Sequence, residues 1–278
     1  LADNVHHQAG VACGDCHRGN PNAANPIEAH SAASGFRGPA EAESACAECH
    51  HEAWVGVNHK SVHFRAGEKG DTRHGSSMRC GACHGKAHEM TPIDDSRSSV
   101  FLDNQVKMCG GCHEAEHRTY TESTHGHGLQ ASGLLVTAVC ADCHNHHEIY
   151  RAADLRSTLH SSKIADTCGK CHAFIKERLE RSVHGRGAGP GGSADRTTPG
   201  GKVNRKPSCS DCHQGHDLAH PKGDRFRLGV PNRCGNCHAK VLGGYAASLH
   251  GELTELGYAE AAKCPDCHGS HDILPADE

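Results

Sequence analysis

Cys168-Gly169-Lys170-Cys171-His172, then Ser182-Val183-His184-Gly185, then Cys209-Ser210-Asp211-Cys212-His213-Gln214-Gly215-His216-Asp217: this stretch decides how the chain is read. Twice, two cysteines three positions apart run into a histidine. Each such unit is followed by a further histidine, after 12 residues in the first case and 3 in the second. The same unit begins at Cys13, Cys46, Cys80, Cys109, Cys140, Cys168, Cys209, Cys234 and Cys264. Its second cysteines are Cys16, Cys49, Cys83, Cys112, Cys143, Cys171, Cys212, Cys237 and Cys267. Together these are all 18 cysteines of a 278-residue chain. A disulfide scaffold has no need of a histidine after every pair. A zinc ribbon needs Cys-x-x-Cys units acting two at a time.

The spacing suits thioether chemistry. Two thiols three positions apart can each bond one vinyl group of a haem, and the adjoining imidazole then reaches the iron. The sequence therefore predicts nine c-type haems, with His17, His50, His84, His113, His144, His172, His213, His238 and His268 as proximal ligands.

From Cys46 onward the units alternate between two kinds. The first kind leads to Ser-x-His: His50 to His63, His113 to His125, His172 to His184 and His238 to His250, at offsets of 13, 12, 12 and 12. The second kind is followed almost at once by a histidine: His84 by His88, His144 by His147, His213 by His216 and His268 by His271, at offsets of 4, 3, 3 and 3. The predicted organisation is a single-haem segment, 1–45, before four two-haem repeats: 46–108, 109–167, 168–233 and 234–278. The third repeat carries a Gly/Pro-rich surface loop over 185–207. A short helix is predicted over 173–181, where Ile175 and Leu179 begin an apolar stripe that continues to Val183.

The eight recurring histidines, His63, His88, His125, His147, His184, His216, His250 and His271, are the expected distal ligands, because a second axial ligand must be placed repeatably. None should serve its own haem. Twelve helical residues rise about 18 Å, too far for two imidazoles on one iron. Three residues span about 10 Å at most, too little for opposed side chains. Ligands should therefore be exchanged between neighbouring haems. For the ninth haem His30 is the expected ligand, with His7 and His6 in reserve and His160 a further candidate. His51, His59, His74, His117, His127, His146 and His220 are expected at the surface or against propionates.

There are only 10 aromatic residues, Trp54 being the one tryptophan, and the mean hydropathy is −0.62. Such a chain is short of side chains for a core of its own. The predicted fold is mostly irregular with short α-helices, haem-cored, with little or no β-sheet. A formal charge of −4, made more acidic by propionates, excludes nucleic acid as a partner. No apolar run is long enough to span a bilayer, and Leu1 opens no signal peptide. Haem attachment outside the cytoplasmic membrane makes this a mature, exported chain, extracellular or at the cell surface, alternatively periplasmic.

The chain resembles the multihaem cytochromes of the broad c3-like family with doubled haem motifs. The nine motifs carry the resemblance, with the Ser-x-His-Gly tags at His125, His184 and His250 and the His-Asp or His-Glu tags of the second kind, as in Cys264-Pro265-Asp266-Cys267-His268-Gly269-Ser270-His271-Asp272-Ile273. The resemblance implies bis-histidine haems in closely spaced stacked and perpendicular pairs. In haem density the chain is also similar to cytochromes that polymerise into extracellular conductive filaments. The expected function is electron transfer, as a subunit of a polymeric filament or outer-surface assembly, with other redox proteins or extracellular acceptors as partners and haem contact between subunits. A soluble periplasmic shuttle is one alternative. A multihaem reductase with one five-coordinate haem is the other; all nine motif ligands are histidine, which argues for a carrier and not an enzyme.

Overall fold

The computed structural model describes residues 3–38, 41, 43–53, 61–65, 80–186, 197–198, 201–202 and 206–275. Trp54, His59, His74 and most of the loop over 185–207 lie outside the described residues. The architecture is mostly short α-helices joined by irregular segments. Within the loop, two two-residue strands pair antiparallel, Thr197 with Lys202 and Thr198 with Gly201.

The two kinds of motif sit differently on their helices. A second-kind motif opens a helix at its first cysteine, in Cys13–His17, Cys140–His144, Cys209–Cys212 and Cys264–His268. The aspartates Asp15, Asp142, Asp211 and Asp266 make this possible. Each carboxylate accepts the backbone N–H of the residue just before the helix, at 2.7, 2.8, 2.6 and 2.7 Å. That satisfies a donor the helix start would otherwise orphan, and it puts negative charge at the positive end of the helix dipole.

Three of the four first-kind motifs instead close a helix; the fourth opens one, Cys46–Cys49. Cys109, Cys168 and Cys234 are the last residues but one of Leu102–Gly110, Ile164–Gly169 and Asp224–Gly235. A new helix follows directly on the motif histidine: Glu114–Thr121, Ala173–Arg181 and Ala239–Ala246. The two helices turn so tightly that glycine is required after the first cysteine. A Cβ on Gly110 would stand 2.6 Å from the His117 ring, on Gly169 2.6 Å from Lys176, and on Gly235 2.2 Å from Leu242.

Helix Ala173–Arg181 ends where the sequence places it, but Val183 does not extend it. Ser182 takes extended backbone and Val183 opens a second helix, Val183–Arg186. The same break recurs at Ser123, before Thr124–Gln130, and at Ser248, before Leu249–Glu255. In each, the serine Oγ accepts the N–H three residues on, from Gly126, Gly185 or Gly251, at 3.1, 3.2 and 3.3 Å. Any larger residue at those glycines would collide with the carbonyl ending the preceding helix, at 2.1, 1.9 and 2.1 Å for Tyr120, Leu179 and Tyr245.

The chain divides into two compact units, Leu1–His117 with Val139–Arg151, and Arg118–Ala138 with Ala152–Glu278. The division cuts through the stretch 109–167, which the sequence treats as one repeat. Tertiary bonds tie Val139–Arg151 to the first unit: Ala141 N–H donates to the Gln105 side chain at 2.9 Å, and Val62 N–H to the Ile149 carbonyl at 2.8 Å. The buried apolar side chains among the described residues are Ala45, Val106, Leu129, Val139, Tyr150, Ile164, Val230, Ala259 and Ala261. Three are alanine, too little apolar bulk to hold a chain of this length together unaided.

Candidate metal centres

Seven motif histidines each stand opposite a histidine that belongs to no motif. In the first unit these pairs are His17 with His88, His50 with His6, His84 with His147, and His113 with His63, with ring centroids 5.8, 6.0, 6.1 and 5.9 Å apart. In the second unit they are His172 with His125, His213 with His271, and His238 with His184, at 6.2, 6.0 and 6.3 Å. Two metal–imidazole bonds of about 2 Å each, plus about 1 Å from each bonding nitrogen to its ring centre, give about 6 Å between centroids. The seven separations cluster at that value, and each pair takes one ring from either side. A haem iron between the two rings therefore fits the residues present. Among the described residues no group of three or more His, Cys, Asp or Glu side chains is arranged to hold a metal ion.

The exchange is regular. No distal candidate faces the motif that precedes it. Ser-x-His residues face the first-kind motif of the next repeat, and short-offset histidines face the second-kind motif of the one before. One bond, repeated four times, accompanies this register: the residue before His6, His63, His125 or His184 donates its N–H to the residue two beyond a short-offset histidine. Val5 donates to Met90 at 2.9 Å and Val62 to Ile149 at 2.8 Å. In the second unit Thr124 donates to Leu218 at 2.8 Å and Val183 to Ile273 at 2.9 Å.

The electrostatics favour neutral imidazole, the form that binds a metal. His63 is held below its ordinary value by burial and then by the facing His113; His84 likewise, by burial and then His147. Burial leads for His6, His147, His213 and His271 as well. The Nδ1 of His17 lies 2.9 Å from the Arg37 carbonyl. A ring nitrogen against a carbonyl carries the proton, which leaves the His17 Nε2 lone pair for the metal.

The two motifs of one repeat meet at their first cysteines. Cys109 lies beside Cys140, Cys168 beside Cys209 and Cys234 beside Cys264, close enough to share thiol hydrogen bonds. Sharing raises Cys109 and lowers Cys140; Cys209 falls to about 7 through Cys168, and burial pushes Cys234 up to about 12. All 18 cysteines are free thiols, exposed or half-buried, as attachment to an external group requires.

Some predicted ligands have other surroundings. In the first segment His6, kept in reserve on the sequence, faces a motif histidine, with Asn4 in the serine's place accepting the N–H of His6 and His7 at 3.0 and 3.1 Å. His30 is exposed; its Nδ1 lies 2.7 Å from the Pro26 carbonyl and its ring is edge-on to Phe36 at 4.8 Å. His7 is exposed. His160 is half-buried and bonds locally to Ser162 at 2.8 Å. His144 belongs to the first unit and His216 to the second. His250 and His268 are exposed, and among the described residues no histidine ring is recorded opposite either. The Nε2 of His117 is buried without a hydrogen-bond partner, an orphaned donor or acceptor that a propionate would satisfy.

Sequence reading missed one mark that separates the kinds of motif: Asp before the second cysteine in the Cys13 motif and in three of the four second-kind motifs, Cys80-Gly81-Ala82-Cys83 being the exception. It also missed Phe36 and Phe226, stacked on His17 and His213 with ring centroids 6.0 and 5.3 Å apart. No protein-family model matches the chain, and no curated protein matches it. No helix among the described residues is long and apolar enough to cross a membrane.

Proposed function

We propose that this chain transfers electrons through nine covalently attached c-type haems, with bis-histidine ligation at the facing pairs. One observation carries the reading: seven pairs of one motif and one non-motif histidine, at centroid separations of 5.8–6.3 Å. Haem c, when bound through two thioethers, supplies a one-electron couple at each site. The residues do the rest. The two cysteines of each motif fix the edge of a porphyrin, the motif histidine holds one face of the iron, and a histidine from the adjoining repeat closes the other. Closing both faces at these seven sites would leave no position for substrate there, which favours an electron carrier. The apposed first cysteines bring the two haems of a repeat within easy electron-transfer range, and the exchanged ligands link one repeat to the next. The scarcity of apolar core supports the same reading, because the haems would form the interior.

Thioether attachment argues for an exported chain, extracellular or at the cell surface, working in a filament or outer-surface assembly with other redox proteins or extracellular acceptors; a periplasmic shuttle uses the same ligands. A reductase is favoured by a single observation, the exposed His268 with no histidine recorded opposite. Expression with haem-attachment machinery, intact mass and a pyridine haemochrome assay test the proposal. The expected result is nine haems per chain, all reducible by dithionite. A chain that carries zinc, or no covalent haem, would overturn it.

A further inference from the structure

The ligand exchange has the same three parts wherever it is complete. A polar cap residue is buried: Asn4 at 5 %, Ser61 at 2 %, Ser123 and Ser182 at 1 % relative exposure. The next residue gives its N–H to the carbonyl ending an irregular segment, and that segment reads His88-Glu89-Met90, His147-Glu148-Ile149, His216-Asp217-Leu218 or His271-Asp272-Ile273: histidine, acid, apolar. The histidine after that, His6, His63, His125 or His184, is half-buried and faces a motif histidine.

Ser248-Leu249-His250 has the same residues and the same capped helix but lacks the cover. Ser248 is partly exposed where the other cap residues are buried, and no acceptor is recorded for the Leu249 N–H, whereas the N–H groups of Val5, Val62, Thr124 and Val183 are all bonded; Leu249 itself is 67 % exposed. His250 is exposed. So is His268, the motif histidine of the same repeat, although His17, His84, His144 and His213 at the equivalent position are all half-buried.

We infer that Leu249, His250 and His268 form a docking site for a histidine–acid–apolar segment of a separate haem-binding chain, which gives its histidine to the iron on His268 and takes His250 as a ligand in return. The inference rests on the haem reading above. The occupant follows from the four completed copies of the contact, each made with a segment of this composition. A second copy of this chain is the poorer fit, because all four of its own segments are already spent on internal contacts.

The test uses the holoprotein and a synthetic peptide with the sequence of residues 269–274, Gly-Ser-His-Asp-Ile-Leu. In dilute oxidised protein, electron paramagnetic resonance should show a high-spin ferric signal that includes the haem on His268, and the peptide should convert that haem to low spin. Conversion is expected at a roughly tenfold lower concentration than with free imidazole, the factor that about 1.4 kcal/mol of added backbone and apolar contact supplies. The same peptide with alanine for histidine should leave the signal unchanged. Three results would overturn the inference: no high-spin haem before addition, imidazole as effective as the peptide, or loss of the signal on concentrating the protein alone, which would assign the face to a second copy. The haem count fails or holds in the separate haemochrome assay, so failure of the underlying reading is distinguishable.

Discussion

At the residue scale, two histidines with the same chemistry are separated only by what surrounds them. His63 and His160 are both half-buried, but His63 faces His113 at 5.9 Å, while His160 is held by a local bond to Ser162. His63→Ala should therefore leave the haem on His113 with one axial ligand and produce one haem equivalent of high-spin ferric signal, whereas His160→Ala should change nothing in that spectrum. Spin quantitation of the two variants beside the parent protein checks this. The candidate ligands were legible in the sequence because Ser-x-His and the short offsets repeat. Their partners were less so: His6, His63, His125 and His184 reach motif histidines 44, 50, 47 and 54 residues away. A separation of that size is set by tertiary contacts, chiefly the repeated N–H to carbonyl bond, and no local pattern encodes it. The choice of His6 over His30 shows the same thing, since Asn4 replaces the serine by which the other tags are recognised.

At the element scale, aspartates cap four of the helices that open on a motif, and glycines give clearance where one helix follows closely on another. Gly185 follows His184 at the Ser-capped break, where an added Cβ would lie 1.9 Å from the Leu179 carbonyl. Gly185→Ala should cost about 1–3 kcal/mol through overpacking against backbone that cannot move aside. Asp142→Ala removes the carboxylate that accepts the Val139 N–H at 2.8 Å and should cost about 1 kcal/mol. Chemical denaturation of the holoprotein variants measures both, and a Gly185→Ala change smaller than that of Asp142→Ala would contradict the assignment. The helix over 173–181 was readable from composition, but the second helix after it was not read, although Ser182 and Gly185 stand in the sequence as its cap and its clearance. The glycine after the first cysteine was equally visible and was uninterpretable without the following helix, because its role is to let a neighbour approach.

At the scale of the molecule, the proposed haems are what would fill the interior. Nine buried apolar side chains, three of them alanine, stand among the described residues against the conformational entropy of ordering some 278. The same chain produced without haem attachment should accordingly stay largely unfolded, with weak far-ultraviolet circular dichroism and rapid proteolysis throughout. A compact, protease-resistant apoprotein would contradict a haem-built core. The mostly helical and irregular class of fold was legible in the sequence; the division into two compact units was not, because Val139–Arg151 joins a unit formed mostly by residues far from it in sequence.

The most direct test of the central claim is a count of low-spin haems in the oxidised, fully loaded protein by electron paramagnetic resonance with spin quantitation. The facing pairs predict at least seven low-spin ferric haems per chain, with bis-imidazole signatures. Fewer than seven, or low-spin signals of another ligand set, would contradict it.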